Sequence, residues 1–196
     1  MALVLNGTSD TITGLQINSA NIVDGSITSA DLASGVGGKV VQWISTTKTD
    51  AVFFQVAASS DYHYTDTSLR ATITPTSASN TLHIMGHVSV GRELLNWMQV
   101  AIDKDGSAFT QAIGDAASSR GRRTVGGSNP NTGLVSSFPF HAKVTAENTT
   151  ERYYSLNFSH GSSSTRWIYL NRGSTDTDAV QYGRYISTIT VVEVAA

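Results

Sequence analysis

Cysteine is absent from the chain, so disulfides and thiolate metal sites are excluded and durability has to come from packing or association. Proline is scarce, at three residues. Charged residues make up only 14% of the chain, well under the usual quarter, and the net charge is −2. A slightly acidic chain with few charges has no basic footprint for nucleic acid. No apolar run approaches a membrane span, which argues against membrane insertion. Met1 to Gly7 is too short and too uncharged to read as a signal peptide. What is present is a hydrophobic content of 40%, enough for a real core, with Ser, Thr, Gly and Asn in place of charge. That composition suits β-structure with many turns, and 196 residues suit one domain with a short appendage.

The appendage shows first. Ile12, Ile17, Ile22, Ile27 and Leu32 recur at every fifth position. Five is the wrong period for a strand face or a helix stripe. With small residues ahead of Ile22, Ile27 and Leu32, the run looks like the pentapeptide-repeat pattern, in which the chain turns corners and stacks an interior aliphatic column. One such coil cannot bury its own column, since repeats need about three stacked units. Self-association about an axis is the expected completion. Gly35, Gly37 and Gly38 then mark a hinge, which divides an attachment and trimerisation segment, 1–38, from a head domain, 39–196.

Strand signals follow in series. Lys39 to Ser45 alternates, Val52 to Val56 is a short apolar run, and Leu82 to Val90 places Leu82, Ile84, Gly86, Val88 and Val90 on one face. Leu95 to Ile102 runs into Asp105-Gly106, a hairpin turn. Val135 to Val144, Tyr153 to Phe158, Thr165 to Asn171 and Ile186 to Val194 complete the set. Residues 114–132 read as the longest irregular segment, a surface excursion. About nine or ten strands separated by turns predict an all-β, antiparallel, jelly-roll-like β-sandwich, with a barrel as the alternative.

Catalytic chemistry is thin. His83 and His87 share a strand face with Met85, but a four-residue step on a strand separates them by about 13 Å, too far for joint ligation. On a three-fold axis each would meet its symmetry mates. His63, His141 and His160 have no partners nearby in sequence. Asp103-Lys-Asp105-Gly106 lacks the later ligands of a calcium loop and reads as a turn. Glu147 and Glu151 flank a loop without the opposed carboxylate that a glycosidase requires. No metal site, cofactor or enzyme activity is expected. Binding residues are sought on loops instead: Tyr62, His63 and Tyr64 offer rings for stacking on sugars, and Arg120, Arg122 and Arg123 suit an acidic surface glycan. Trp167 and Tyr169 share a strand face and are assigned to packing.

Several stretches resemble a known group. Met1 to Thr8 and Ile22 to Leu32 are similar to the openings of phage tail-fibre and virion-appendage proteins. Ile73 to Asn80, Ile113 to Arg120, Ile168 to Arg172 and Ser187 to Glu193 resemble, in the same order, the C-terminal domain of structural proteins of tailed phages, many from marine and cyanobacterial hosts. The resemblance implies a non-enzymatic, homotrimeric virion protein that is made in the host cytoplasm. Its N-terminus would dock to a tail, baseplate or capsid protein, and its head would adsorb to a host-surface glycan. A capsid decoration protein and a stand-alone carbohydrate-binding module are the rival expectations.

Overall fold

The computed structural model describes residues 39–58, 62–63, 67–93, 97–128 and 133–196. Residues 1–38, with the expected attachment segment and its expected column Ile12, Ile17, Ile22, Ile27 and Leu32, lie outside the described residues, as does Tyr64.

The head is an all-β sandwich of two packed antiparallel sheets. In chain order its strands are β1 (Val40–Lys48), β2 (Val52–Val56), β3 (Tyr62–His63), β4 (Ala71–Ile73), β5 (Thr81–Arg92), β6 (Trp97–Lys104), β7 (Ser107–Ala108), β8 (Val125–Ser128), β9 (Val135–Thr145), β10 (Arg152–His160), β11 (Arg166–Leu170) and β12 (Ser187–Val194). The first sheet is built around β5, which has β9 along one edge and β12 and β11 along the other. β1 and β2 lie beyond these last two. The second sheet is built on β10 and β6, flanked by β3 and β4 on one side and β7 and β8 on the other.

Period-two alternation decides which residues face inward. Leu82, Ile84, Val88 and Val90 of β5 meet Met98, Val100 and Ile102 of β6 and Tyr154, Leu156 and Phe158 of β10 in one core. Between them Gly86 is required by close approach: a Cβ there would stand 1.9 Å from the Thr188 carbonyl oxygen. Pro139 sits in β9, which among the described residues is paired along one side, with β5. The Asp105-Gly106 turn has φ of 54° and 75°, the paired left-handed conformation of a tight hairpin, as the sequence predicts.

β11 and β12 are two halves of one strand. Leu170 pairs with Val90 and Thr188 with His87, so the ladder along β5 resumes after residues 172–186 have left it. Asn171 holds the break. Its backbone N–H donates to the Ser89 carbonyl (2.8 Å). Its side-chain amide donates to the carbonyls of Lys48 (2.9 Å) and Asp50 (3.0 Å), and its Oδ1 accepts from Ser187 Oγ (2.6 Å). Asn tolerates the left-handed φ of 62° that this residue adopts.

Two segments differ from the sequence reading. The stretch 114–132 contains a strand, β8, which pairs with β6. Its Gly126 and Gly127 carry no apolar alternation, so the backbone ladder alone makes the strand. The aromatic stretch at 61–66 contributes β3, paired with Asn157 and Phe158 of β10.

Candidate functional site

A groove of about 480 Å³ opens where the start of β6 meets the end of β10. Antiparallel pairing sets Gln99 opposite Ser159 and Met98 opposite His160. Because Met98, Val100 and Phe158 point into the core, Trp97, Gln99 and Ser159 project from the opposite face. Trp97 is 46% exposed. The turn after β10 supplies Gly161, Ser162 and Ser163, and the long excursion before β8 supplies Ser119, Gly121 and Arg123.

The walls are held by bonds of their own. His160 is buried, with Nε2 2.9 Å from the Val56 carbonyl oxygen, and its Nδ1 accepts from the Ser162 N–H (3.1 Å). With Nδ1 accepting, Nε2 is the nitrogen that donates to the Val56 carbonyl. Ser162 Oγ takes bonds from the Ser164 N–H (3.2 Å) and Arg166 Nε (3.0 Å). Arg123 donates from Nε to Ser159 Oγ (3.0 Å) and from Nη1 to the Arg122 carbonyl (2.8 Å). Arg122 Nε in turn donates to the Gly114 carbonyl (2.6 Å), and the Gly114 N–H to the Arg123 carbonyl (3.2 Å). Thr124 ties the far end: its hydroxyl donates to the Ala112 carbonyl (2.7 Å) and accepts from the Ile102 N–H (3.0 Å). The excursion is thus a closed loop laid against β6.

Beyond Gly121 lies a second depression, of about 380 Å³, which shares Gln99, Gly121 and Arg123 with the first. Arg120, Arg122 and Asp115 line it as well. Three arginines against one aspartate make the joint lining +2, in a chain whose net charge is −2. All three arginines singled out from the sequence therefore come together here.

The other loop candidates sit elsewhere. Tyr62 is turned inward, its ring stacked on Phe54 (centroids 4.4 Å apart, planes 12°) and packed against the core. The backbone of His63 pairs with Asn157. The sequence reading passed over Trp97 as a strand residue. The available signal was a tryptophan two residues from Gln99 on the face opposite Met98 and Val100.

On the outer face of the first sheet, His83 and His141 meet across β5 and β9. His83 Nδ1 lies 3.0 Å from His141 Nε2, with ring centroids 5.3 Å apart and planes 12° apart. Each nitrogen lies one ring radius from its centroid, so the rings meet edge to edge with the nitrogens on the line between them. That is an imidazole–imidazole hydrogen bond, in which the N–H of one ring is aimed at the lone pair of the other and neither nitrogen is aimed at a common third point. Partial burial, then His141 and then Lys143, lower the His83 pKa. Among the described residues no three His, Asp or Glu side chains gather as a metal site.

Two of the acidic candidates, Asp105 and Glu147, have structural partners. Asp105 Oδ1 accepts from the Tyr153 N–H (2.9 Å). Glu147 accepts from Lys104 Nζ (2.8 Å) and from Gln111 Nε2. The Lys104 bond leads in holding its carboxyl below the usual range.

Neither a protein-family model nor a curated protein matches this chain.

Proposed function

We propose that the protein is a structural component of a phage virion appendage, a homotrimeric fibre that binds a host-surface glycan through the groove at Trp97 and Arg123. The observation that carries the binding role is a half-exposed tryptophan at the rim of a groove whose other walls offer hydroxyls, an amide and a guanidinium. Flat apolar rings suit the C–H faces of a pyranose, and a few fixed polar groups around them set orientation. The groove falls in the usual size range for small-molecule sites. Its lining residues include no Asp or Glu, whereas glycoside hydrolysis ordinarily needs two carboxylates. This favours binding over cleavage. The virion assignment rests on the resemblance of the pentads and of the four head stretches.

Self-association has support in the head too. Val41, Trp43 (65% exposed) and Phe53 (57% exposed) stand on β1 and β2, at the margin of the first sheet. Phe53 lies edge-on to Trp167 (5.2 Å), and Arg172 stacks over Phe53 and Tyr169. An apolar margin of this kind suits contact with another copy.

Glycan-array binding by the full chain is the test. The parent should bind a defined subset of saccharides, Trp97→Ala should lose at least ten-fold in affinity, and the melting temperature should be unchanged. Equal binding by parent and variant would remove the groove from recognition.

A further inference from the structure

We infer that the groove is selective for an anionic saccharide, one carrying a carboxylate on the pyranose ring, as in a uronic-acid polymer. This inference rests on the proposed glycan-binding role and adds the ligand's charge.

Three observations carry it. First, Arg123 is the one Asp, Glu, Lys or Arg residue in the lining of the Trp97 groove, and both ring nitrogens of His160 there are committed to bonds within the protein. Second, Arg123 is pre-positioned: bonds to Ser159 Oγ and the Arg122 carbonyl fix its plane, so little side-chain entropy remains to be lost on binding. Third, Arg120 and Arg122 continue the positive lining across Gly121, and Asp115 is the one acid opposing them. A chain of net negative charge thus concentrates +2 in one concave region. Such a region attracts an anion and focuses its approach. A pyranose laid on Trp97 would place a ring carboxylate toward the Arg123 end of the groove. The next sugars of a polymer would pass over Gly121 toward Arg120 and Arg122.

The test is titration calorimetry on the full chain with three probes: a uronic-acid oligosaccharide, the same oligosaccharide with its carboxyls reduced to alcohols, and a sulfated neutral oligosaccharide. The uronate should bind at least ten-fold tighter than its reduced form, about 1.4 kcal/mol. It should also bind tighter than the sulfated probe, and its affinity should fall between 50 and 500 mM salt, concentrations at which the Debye length shrinks from roughly 14 to 4 Å. Arg123→Gln should erase the preference, bringing the ratio of the affinities for uronate and reduced sugar close to one. Because Arg123 also braces the loop, Arg120→Gln serves as a second variant, with a smaller loss of the same preference. Equal affinity for uronate and reduced sugar would overturn charge selection while leaving the groove as a glycan site. A sulfated probe that binds as well as the uronate would overturn the carboxylate assignment. If none of the three binds to the parent, the glycan-binding reading falls and this inference with it.

Discussion

At the scale of single residues, rings and histidines change meaning once their neighbours across the sheet are known. Tyr62 lies in a polar stretch, Asp-Tyr-His-Tyr-Thr-Asp, whose composition says loop. Pairing with Phe158 turns it inward onto Phe54, so a ring expected to be free for ligand is committed to packing. Tyr62→Ala should therefore destabilise by about 2 kcal/mol, at the lower end for large-to-small core changes, and should leave glycan affinity unchanged. Chemical denaturation and calorimetry check the two halves. The His83–His141 bond was equally hidden, because 58 residues separate the partners in sequence. Its pH dependence has a definite sign. The folded pKa of His83 lies below 6.5, so the unfolded chain takes up the proton first as pH falls. The contribution is complete above about pH 6.5 and is lost as pH drops through the lower folded value. The charged or titratable groups facing His83 are His141 and Lys143 of β9, with His87 further along β5. Melting temperature measured from pH 7.5 to 5 should fall in the parent and fall less in His83→Gln.

At the scale of elements, strands were legible wherever alternation was strong. β2 matches its predicted run, and β5, β9 and β12 match to within two residues at each end. β8 was invisible because glycines have no faces to alternate. The polar pins were invisible too, since each joins residues far apart in sequence. Glu193 shows what such a pin does. It is fully buried on the inward face of β12, an expensive place for a carboxylate. Its oxygens accept from Gln42 Nε2 (2.8 Å), the Thr76 N–H (2.8 Å), Thr76 Oγ1 (2.9 Å) and Asn80 Nδ2 (2.6 Å). Burial alone would raise its pKa, but the bonds from Asn80, Thr76 and the Ser77 backbone outweigh it, and the net shift is downward. The sign is that of a stabilising carboxylate: stability is present above the ordinary value of 4.5 and is lost as pH falls through the lower folded value. Glu193→Gln sets an NH₂ against a cradle of donors, which should cost about 2–3 kcal/mol by denaturant titration and flatten the acid limb below pH 4.5.

At the scale of the molecule, the sandwich was readable from strand count and turn spacing. The site was half readable, as its arginines were on view in the sequence and its tryptophan was not. The groove joins a strand start, a strand end and a loop drawn from residues 97 to 163, and only the register of β6 on β10 brings them together. Association remains a proposal at this scale, with a direct test. Light scattering at micromolar concentration should give three times the mass of a 20.8 kDa chain. Ile22→Asp should break the assembly, and Trp43→Ser with Phe53→Ser should weaken it, with circular dichroism of the head unchanged. A parent of monomer mass would end the trimer proposal.

The interrupted strand sets no length on what leaves it. Asn171 and Ser187 bond to each other and to the same two strands, so the sheet closes whatever lies between them. Lengthening residues 172–186 would cost chiefly loop-closure entropy, about 0.6 kcal/mol for each doubling. The position is therefore a port at which a surface loop can be exchanged or enlarged without redesigning the ladder of hydrogen bonds beneath it. A flexible ten-residue insert after Asp178 should leave the melting temperature within about 2 °C of the parent, whereas the same insert between Val90 and Gly91, inside β5, should abolish folding.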